Sequence, residues 1–157
     1  RQRQMCIRDS VYAANLRLQK MSRSRYSLER SDYTGGGRGK QGLDLAVMDA
    51  FTGQSRPANT LSGGETFLAS MALALGLADV IQSYAGGIHM DTMFIDEGFG
   101  SLDEHSRDQA VKVLQNMAEG EKLIGIISHV TELKQEIEDQ LIVTKDDQGS
   151  HTRWQIS

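Results

Sequence analysis

Thr60-Leu61-Ser62-Gly63-Gly64-Glu65 stands just before a long run of helix formers, and about thirty residues later an apolar run ends in Met93-Phe94-Ile95-Asp96-Glu97. Ser62, Gly63 and Gly64 would lie at a helix N-terminus, where free N–H groups and the positive end of the helix dipole favour an anion. Glycine there leaves no Cβ between the backbone and a phosphate. The second motif ends a buried strand in two adjacent carboxylates, at the edge where open α/β sheets bind ligands. Asp96 could hold Mg²⁺ directly or through water, and Glu97 could orient and deprotonate an attacking water. Ser128-His129 closes a second apolar strand on the same edge, within reach of a terminal phosphate. Together these residues suit phosphoryl chemistry on a nucleotide. The plainer readings are a serine N-cap, a strand-end turn, an N-cap at Asp103 and a surface histidine.

The elements needed to position these groups can be read from the patterning. Glu65 to Ile81 is apolar nearly all round, as in a helix buried on most sides. Strands are expected over Thr92–Ile95, Leu123–Ile127 and Leu141–Lys145, with helices over Glu104–Ala118 and Val130–Glu138 between them; Trp154-Gln155-Ile156 could add an edge strand. Alternating strand and helix, with almost continuously apolar strands, predicts an α/β fold built on a mostly parallel sheet with flanking helices. Upstream, Val11, Ala14, Leu18 and Met21 form one helical stripe. Arg25–Arg30 and Leu43–Phe51 alternate around the glycine-rich segment from Thr34 to Gly42, the pattern of an antiparallel hairpin, and Thr52 to Thr60 reads as a loop. Residues 1–10 show neither period and are expected to be a disordered or non-native leader resembling translated sequencing adapter; residues 11–157 form the folded unit.

Of the 17 Lys and Arg among the 157 residues, ten lie in residues 1–40 against three acids, so a net charge of −4 divides into +7 followed by −11. Arg17, Lys20, Arg23, Arg25, Arg38 and Lys40 are therefore candidate DNA contacts, against the plainer reading of a solvated basic face. The single cysteine, Cys6, excludes an internal disulfide and, with no Cys/His cluster, suggests a reducing compartment. No apolar stretch reads as a membrane span or signal peptide, which points to a soluble cytoplasmic protein.

In their order the motifs resemble the C-terminal half of an ABC-type ATPase head. Leu61-Ser62-Gly63-Gly64-Glu65 is similar to the ABC signature, Met93 to Glu97 to the Walker B strand with its glutamate, Ser101-Leu102-Asp103 to the D-loop, and His129 to the switch histidine. The form Asp96-Glu97-Gly98-Phe99-Gly100-Ser101-Leu102-Asp103 resembles that of SbcC-type ATPases, SMC-like subunits of a DNA repair exonuclease; transporters commonly place proline after the glutamate. The segments Asn15 to Leu28 and Leu43 to Asp49 also look like the region that follows the SbcC coiled coil.

The resemblance implies a C-terminal lobe with residues 11–24 as the end of a coiled-coil helix, 25–60 as hairpin and loop, and 61–157 as the motif-bearing core. It implies ATP and Mg²⁺ as cofactors, Glu97 as general base, Asp96 as Mg²⁺ organiser, His129 as γ-phosphate sensor, and Asp103 as a cross-subunit contact. Leu61 to Glu65 would engage ATP held by a second head. Other implied partners are an N-terminal P-loop lobe of the same parent protein, an SbcD-like nuclease subunit and DNA near the nucleoid. No P-loop is present: Gly39-Lys40 is followed by Gln41, and Gly37 to Gly42 fits a dinucleotide fingerprint by letter but precedes a strand-like segment. The chain is therefore expected to be an ATPase fragment, inactive alone. The alternatives are an ABC transporter nucleotide-binding domain, another head of SMC, RecF or RecN type, and a structural α/β module without chemistry.

Overall fold

The computed structural model describes residues 2–30, 45–84, 91–118 and 122–156, and the side chains of residues 2–6 are outside that description. The glycine-rich segment, with Arg38 and Lys40, lies outside the described residues.

Helix α1 (Gln2–Met21) packs along helix α2 (Gly63–Tyr84), and this pair is the centre of the core. Ala14, Leu18 and Met21 of the predicted stripe are fully buried, facing Leu68, Ala72 and Leu75. Gly76 sits where the helices come closest; a Cβ there would lie 2.6 Å from the Ala14 nitrogen and 2.7 Å from the Ser10 carbonyl. Residues 2–10, part of the segment read as a disordered or non-native leader, are helical and continuous with the rest of α1, which buries Ser10 against α2. Helix α2 is, contrary to expectation, long and apolar enough by length and composition to cross a membrane. Its buried face is taken up by the protein's own core, the ordinary reason for such a helix in a globular unit.

A three-stranded antiparallel sheet lies beside α1, in the order β1 (Tyr26–Arg30), β2 (Leu45–Asp49), β3 (Gln54–Pro57). The predicted hairpin is β1–β2, with Leu28 opposite Val47; β3 falls in the segment expected to be loop. Asn15 ties the sheet to α1, donating to the Leu28 carbonyl at 2.9 Å and accepting the Leu28 N–H at 2.7 Å.

Strands β4 (Thr92–Asp96) and β5 (Leu123–Ile127) form the parallel pair, joined through helix α3 (Glu104–Ala118). Met93, Ile95, Ile124 and Ile126 pack against the core, while Phe94, Leu123 and Ile127 on the opposite face are exposed. Helix α4 (Leu133–Glu136) is shorter than the pattern suggested. Strand β6 (Gln140–Asp146) does not extend the parallel pair: it forms an antiparallel hairpin with β7 (Gly149–Gln155), which contains most of the expected C-terminal edge strand.

Candidate functional site

Ser62 and Glu65 form a reciprocal cap at the start of α2. The Ser62 N–H donates to Glu65 Oε2 at 2.8 Å, and the Glu65 N–H reaches the Ser62 hydroxyl at 3.4 Å. Glu65 is held further by the Tyr26 hydroxyl, donating to Oε1 at 2.6 Å, and by Arg56 Nη2 at 2.9 Å. Burial opposes ionisation of this carboxyl, but the hydrogen bonds from Tyr26, the Ser62 N–H and Arg56 prevail and hold it at about 2. Glu65 therefore braces the loop with both oxygens, whereas Ser62 and Gly63 are exposed at the helix start.

Gly64 has a steric reason to be glycine: a Cβ would meet the Ser101 carbonyl at 2.6 Å. This contact joins the loop at Leu61–Glu65 to Ser101-Leu102-Asp103. Ser101 in turn donates its hydroxyl to the Gly98 carbonyl at 2.7 Å. Asp103 is a helix cap, accepting from the Ser106 N–H at 3.0 Å and the Ser106 hydroxyl at 2.8 Å; these bonds hold its carboxyl below the usual range. Ser62, Gly64, Ser101 and Asp103 share the wall of a cleft of about 410 Å³ with Arg23 and His105.

The second cluster lies at the carboxyl end of the parallel pair. Asp96 ends β4 opposite Ile127, and Glu97 donates its N–H to the Ile127 carbonyl at 2.8 Å. Glu97 has φ +58, a left-handed conformation uncommon outside glycine, with an approximate cost of 1–2 kcal/mol. That turn aims its half-exposed carboxylate at His129, whose Nδ1 lies 3.0 Å from Oε2. Gly98 follows with φ +99, and its Cα lies against the Phe67 ring, which packs edge-on at 5.0 Å against the fully buried Phe99. Proline requires φ near −65°, so this backbone excludes the transporter-like sequence at that position. Among the described residues no hydrogen bond or ion pair joins Ser62 to Asp96, Glu97 or His129: the predicted residues assemble as two neighbouring clusters. No three His, Cys, Asp or Glu side chains gather as a metal cage among the described residues. The lone Asp96-Glu97 pair suits a cation such as Mg²⁺ that keeps waters and phosphate oxygens as most of its ligands.

Several candidate DNA-contacting cations have partners within the chain. Arg17 pairs with Asp79, Arg25 with buried Asp49 at 3.0 Å, and Arg23 donates to His105. Lys20 is exposed. Tyr26 and Arg56 are site residues that sequence reasoning missed, since their partner Glu65 is 39 and 9 residues away.

The fold is that of an SMC-type ATPase head. An SMC ATPase structure determined in connection with ATP-driven dimerization and DNA-stimulated activation superposes with a TM-score of 0.70 at 15% identity, covering 94% of this chain and 84% of that one. The Smc head domain with coiled coil and joint from Pyrococcus yayanosii gives 0.71 at 14% identity, over 93% of this chain and 26% of that one. Residues 38–116 match the family model described as SbcC/RAD50-like, Walker B motif, and the chain belongs to that family. It is 57% identical over 138 residues to the SbcC subunit of nuclease SbcCD from Treponema pallidum, and 52% identical over 145 residues to that of Vibrio cholerae. These alignments cover 88% and 92% of this chain, which spans only 13% and 14% of the relatives' length.

Proposed function

We propose that this chain is the C-terminal lobe of an SbcC-type ATPase head, acting in a complex that processes DNA ends during double-strand-break repair in the cytoplasm. The observation that carries the reading is the end of β4–β5, where a left-handed turn presents Glu97 to His129 beside Asp96. Asp96 would hold Mg²⁺ on bound ATP, which supplies charge neutralisation at the phosphates. Glu97 would take the proton from the attacking water, and His129, 3.0 Å away, would sense the terminal phosphate. Ser62, Gly63 and Gly64, a separate cluster at the start of α2, would meet the ATP of a second head. ATP-driven engagement of the two heads would then regulate an SbcD-like nuclease subunit on DNA.

The chain's P-loop partner would be an N-terminal lobe from the same parent protein. The exposed apolar face of the parallel pair, with Phe94 68% exposed beside Leu123 and Ile127, supports a covering layer supplied by that lobe. On this reading the chain alone turns over no ATP. The test is Glu97→Gln in the full-length parent: hydrolysis should fall by roughly 100-fold or more while ATP binding persists and head association is prolonged. Unchanged turnover would remove Glu97 from the role of base.

A further inference from the structure

We propose that Tyr26 and Arg56 are positioning residues for the Leu61–Glu65 loop, acting through Glu65 to fix Ser62 for the phosphate it meets. The proposal rests on the reading of Ser62 as a contact to ATP on the opposite head, and adds what holds that contact in place and where the hold is anchored.

The geometry forms one continuous chain. The Ser62 N–H is fixed by Glu65 Oε2, and Glu65 Oε1 receives both the Tyr26 hydroxyl and Arg56 Nη2. Arg56 reaches the other end of the loop as well, donating Nη1 to the Thr60 carbonyl at 3.0 Å. The loop is thus clamped at Thr60 and Glu65, on either side of Ser62. Tyr26 is 8% exposed and stands at the start of β1, separated from the end of α1 by Ser22 to Arg25. Its N–H donates to the Ser22 hydroxyl at 3.1 Å, and that hydroxyl donates to the Leu18 carbonyl at 2.7 Å. Arg25 lies over its ring at 4.8 Å. The loop is therefore tied through a single phenol to the last turn of α1.

A carboxylate only accepts, so the phenol has to be protonated to hold it. Burial and the bond to Glu65 push the Tyr26 hydroxyl up to about 12, and Glu65 sits at about 2, so the pair keeps this protonation across the pH range in which an ATPase works. A hydrogen bond to a charged acceptor is among the stronger kinds, and Tyr26→Phe removes it while leaving the ring.

The test uses the full-length parent subunit with its nuclease partner. Two quantities are measured: the concentration of a non-hydrolysable ATP analogue giving half-maximal head association, and the affinity of an unassociated head for the same nucleotide. Tyr26→Phe should raise the first about tenfold, the loss of one charge-assisted hydrogen bond, and leave the second unchanged. Combined with Glu65→Gln, it should add little further defect, because both act on one linkage. Arg56→Gln, at a partly exposed position, provides an independent variant with the same expected direction. A residue that only packs would be indifferent to loss of its hydroxyl, so a silent Tyr26→Phe beside an impaired Ser62→Ala overturns the proposal alone. Indifference of Ser62→Ala overturns the underlying reading and the proposal with it. Multiplicative defects of Tyr26→Phe and Glu65→Gln would show that Tyr26 acts by another route, and would also overturn it.

Discussion

Gly98→Ala isolates two separate costs at the turn that aims Glu97. The first is conformational: at φ +99 an L-residue is disfavoured by about 1–2 kcal/mol. The second is steric: the new Cβ would lie 2.1 Å from Phe67 Cδ2 and 2.2 Å from Cε2, so the ring has to move away from Phe99 or the turn has to open. Forced repacking of this kind costs roughly 1–3 kcal/mol. The sum, about 2–5 kcal/mol, is a large share of a domain's usual 5–15 kcal/mol. At roughly 3 °C per kcal/mol for a chain of this length, it corresponds to a fall in Tm on the order of 10 °C, read by thermal unfolding. A double-mutant cycle separates the terms. Phe67→Ala carries its own packing loss but vacates the space the methyl needs, so the double variant should be more stable than the two losses added, by about the steric share. Additivity would refute the clash, and a Gly98→Ala variant with unchanged Tm would refute both the clash and the left-handed turn.

Acid should loosen the loop through Glu65. Its carboxyl falls from 4.5 to about 2 on folding, so the stability it contributes is complete above pH 4.5 and is lost as pH falls from there toward 2, up to about 3 kcal/mol. Tyr26 runs the other way: its hydroxyl rises from 10 to about 12, so its share is complete below pH 10 and is lost as pH rises toward 12. Urea unfolding from pH 7 to 2.5 should show a steeper acid limb in the native chain than in Tyr26→Phe; identical limbs would remove Tyr26 from the cause. Gly76→Ala should separate α1 from α2, since the added Cβ would lie 2.6 Å from backbone, and should cost about 2 kcal/mol or more in the same assay. A stabilised Gly76→Ala variant, as helix propensity alone predicts, would contradict the close crossing.

Elements that carry a stripe or run of apolar residues could be read in the sequence, the largely exposed β6 among them. The α1 stripe, α3 and strands β1 and β2 carry apolar side chains at the period of their backbone, while α2, β4 and β5 are near-continuous apolar runs; all lie where the pattern puts them. Strand β3 is Gln-Ser-Arg-Pro: its residues are largely exposed, no alternation marks it, and its proline falls on a sheet edge. The N-terminal part of α1 was equally hidden, because among its described side chains Ser10 is the buried one before Ala14 and a serine carries no hydrophobic signal. The clusters divide in the same way. Asp96, Glu97 and His129 are visible because strand ends place neighbouring residues on one edge. Tyr26 and Arg56 reach Glu65 only because the fold brings β1 and β3 to the start of α2, which no local spacing records.

Among the described residues no hydrogen bond joins Ser62 to Asp96, Glu97 or His129, yet little slack separates the two clusters. Gly64 lies against the Ser101 carbonyl, Ser101 holds the Gly98 carbonyl, and Gly98 lies against Phe67 on the second turn of α2. The path leaves α2 at Gly64 and returns to it at Phe67, with glycine at both points where a Cβ would collide. A methyl at Gly98 therefore displaces Phe67 and, through Ser101, presses on the backbone that carries Gly64. If the two clusters serve ATPs held by opposite heads, Gly98→Ala should impair hydrolysis and nucleotide-driven association together. Glu97→Gln, which leaves this backbone path intact, should impair hydrolysis alone. Equal association by native and Gly98→Ala proteins at saturating nucleotide would separate the clusters mechanically and confine the turn's role to aiming Glu97.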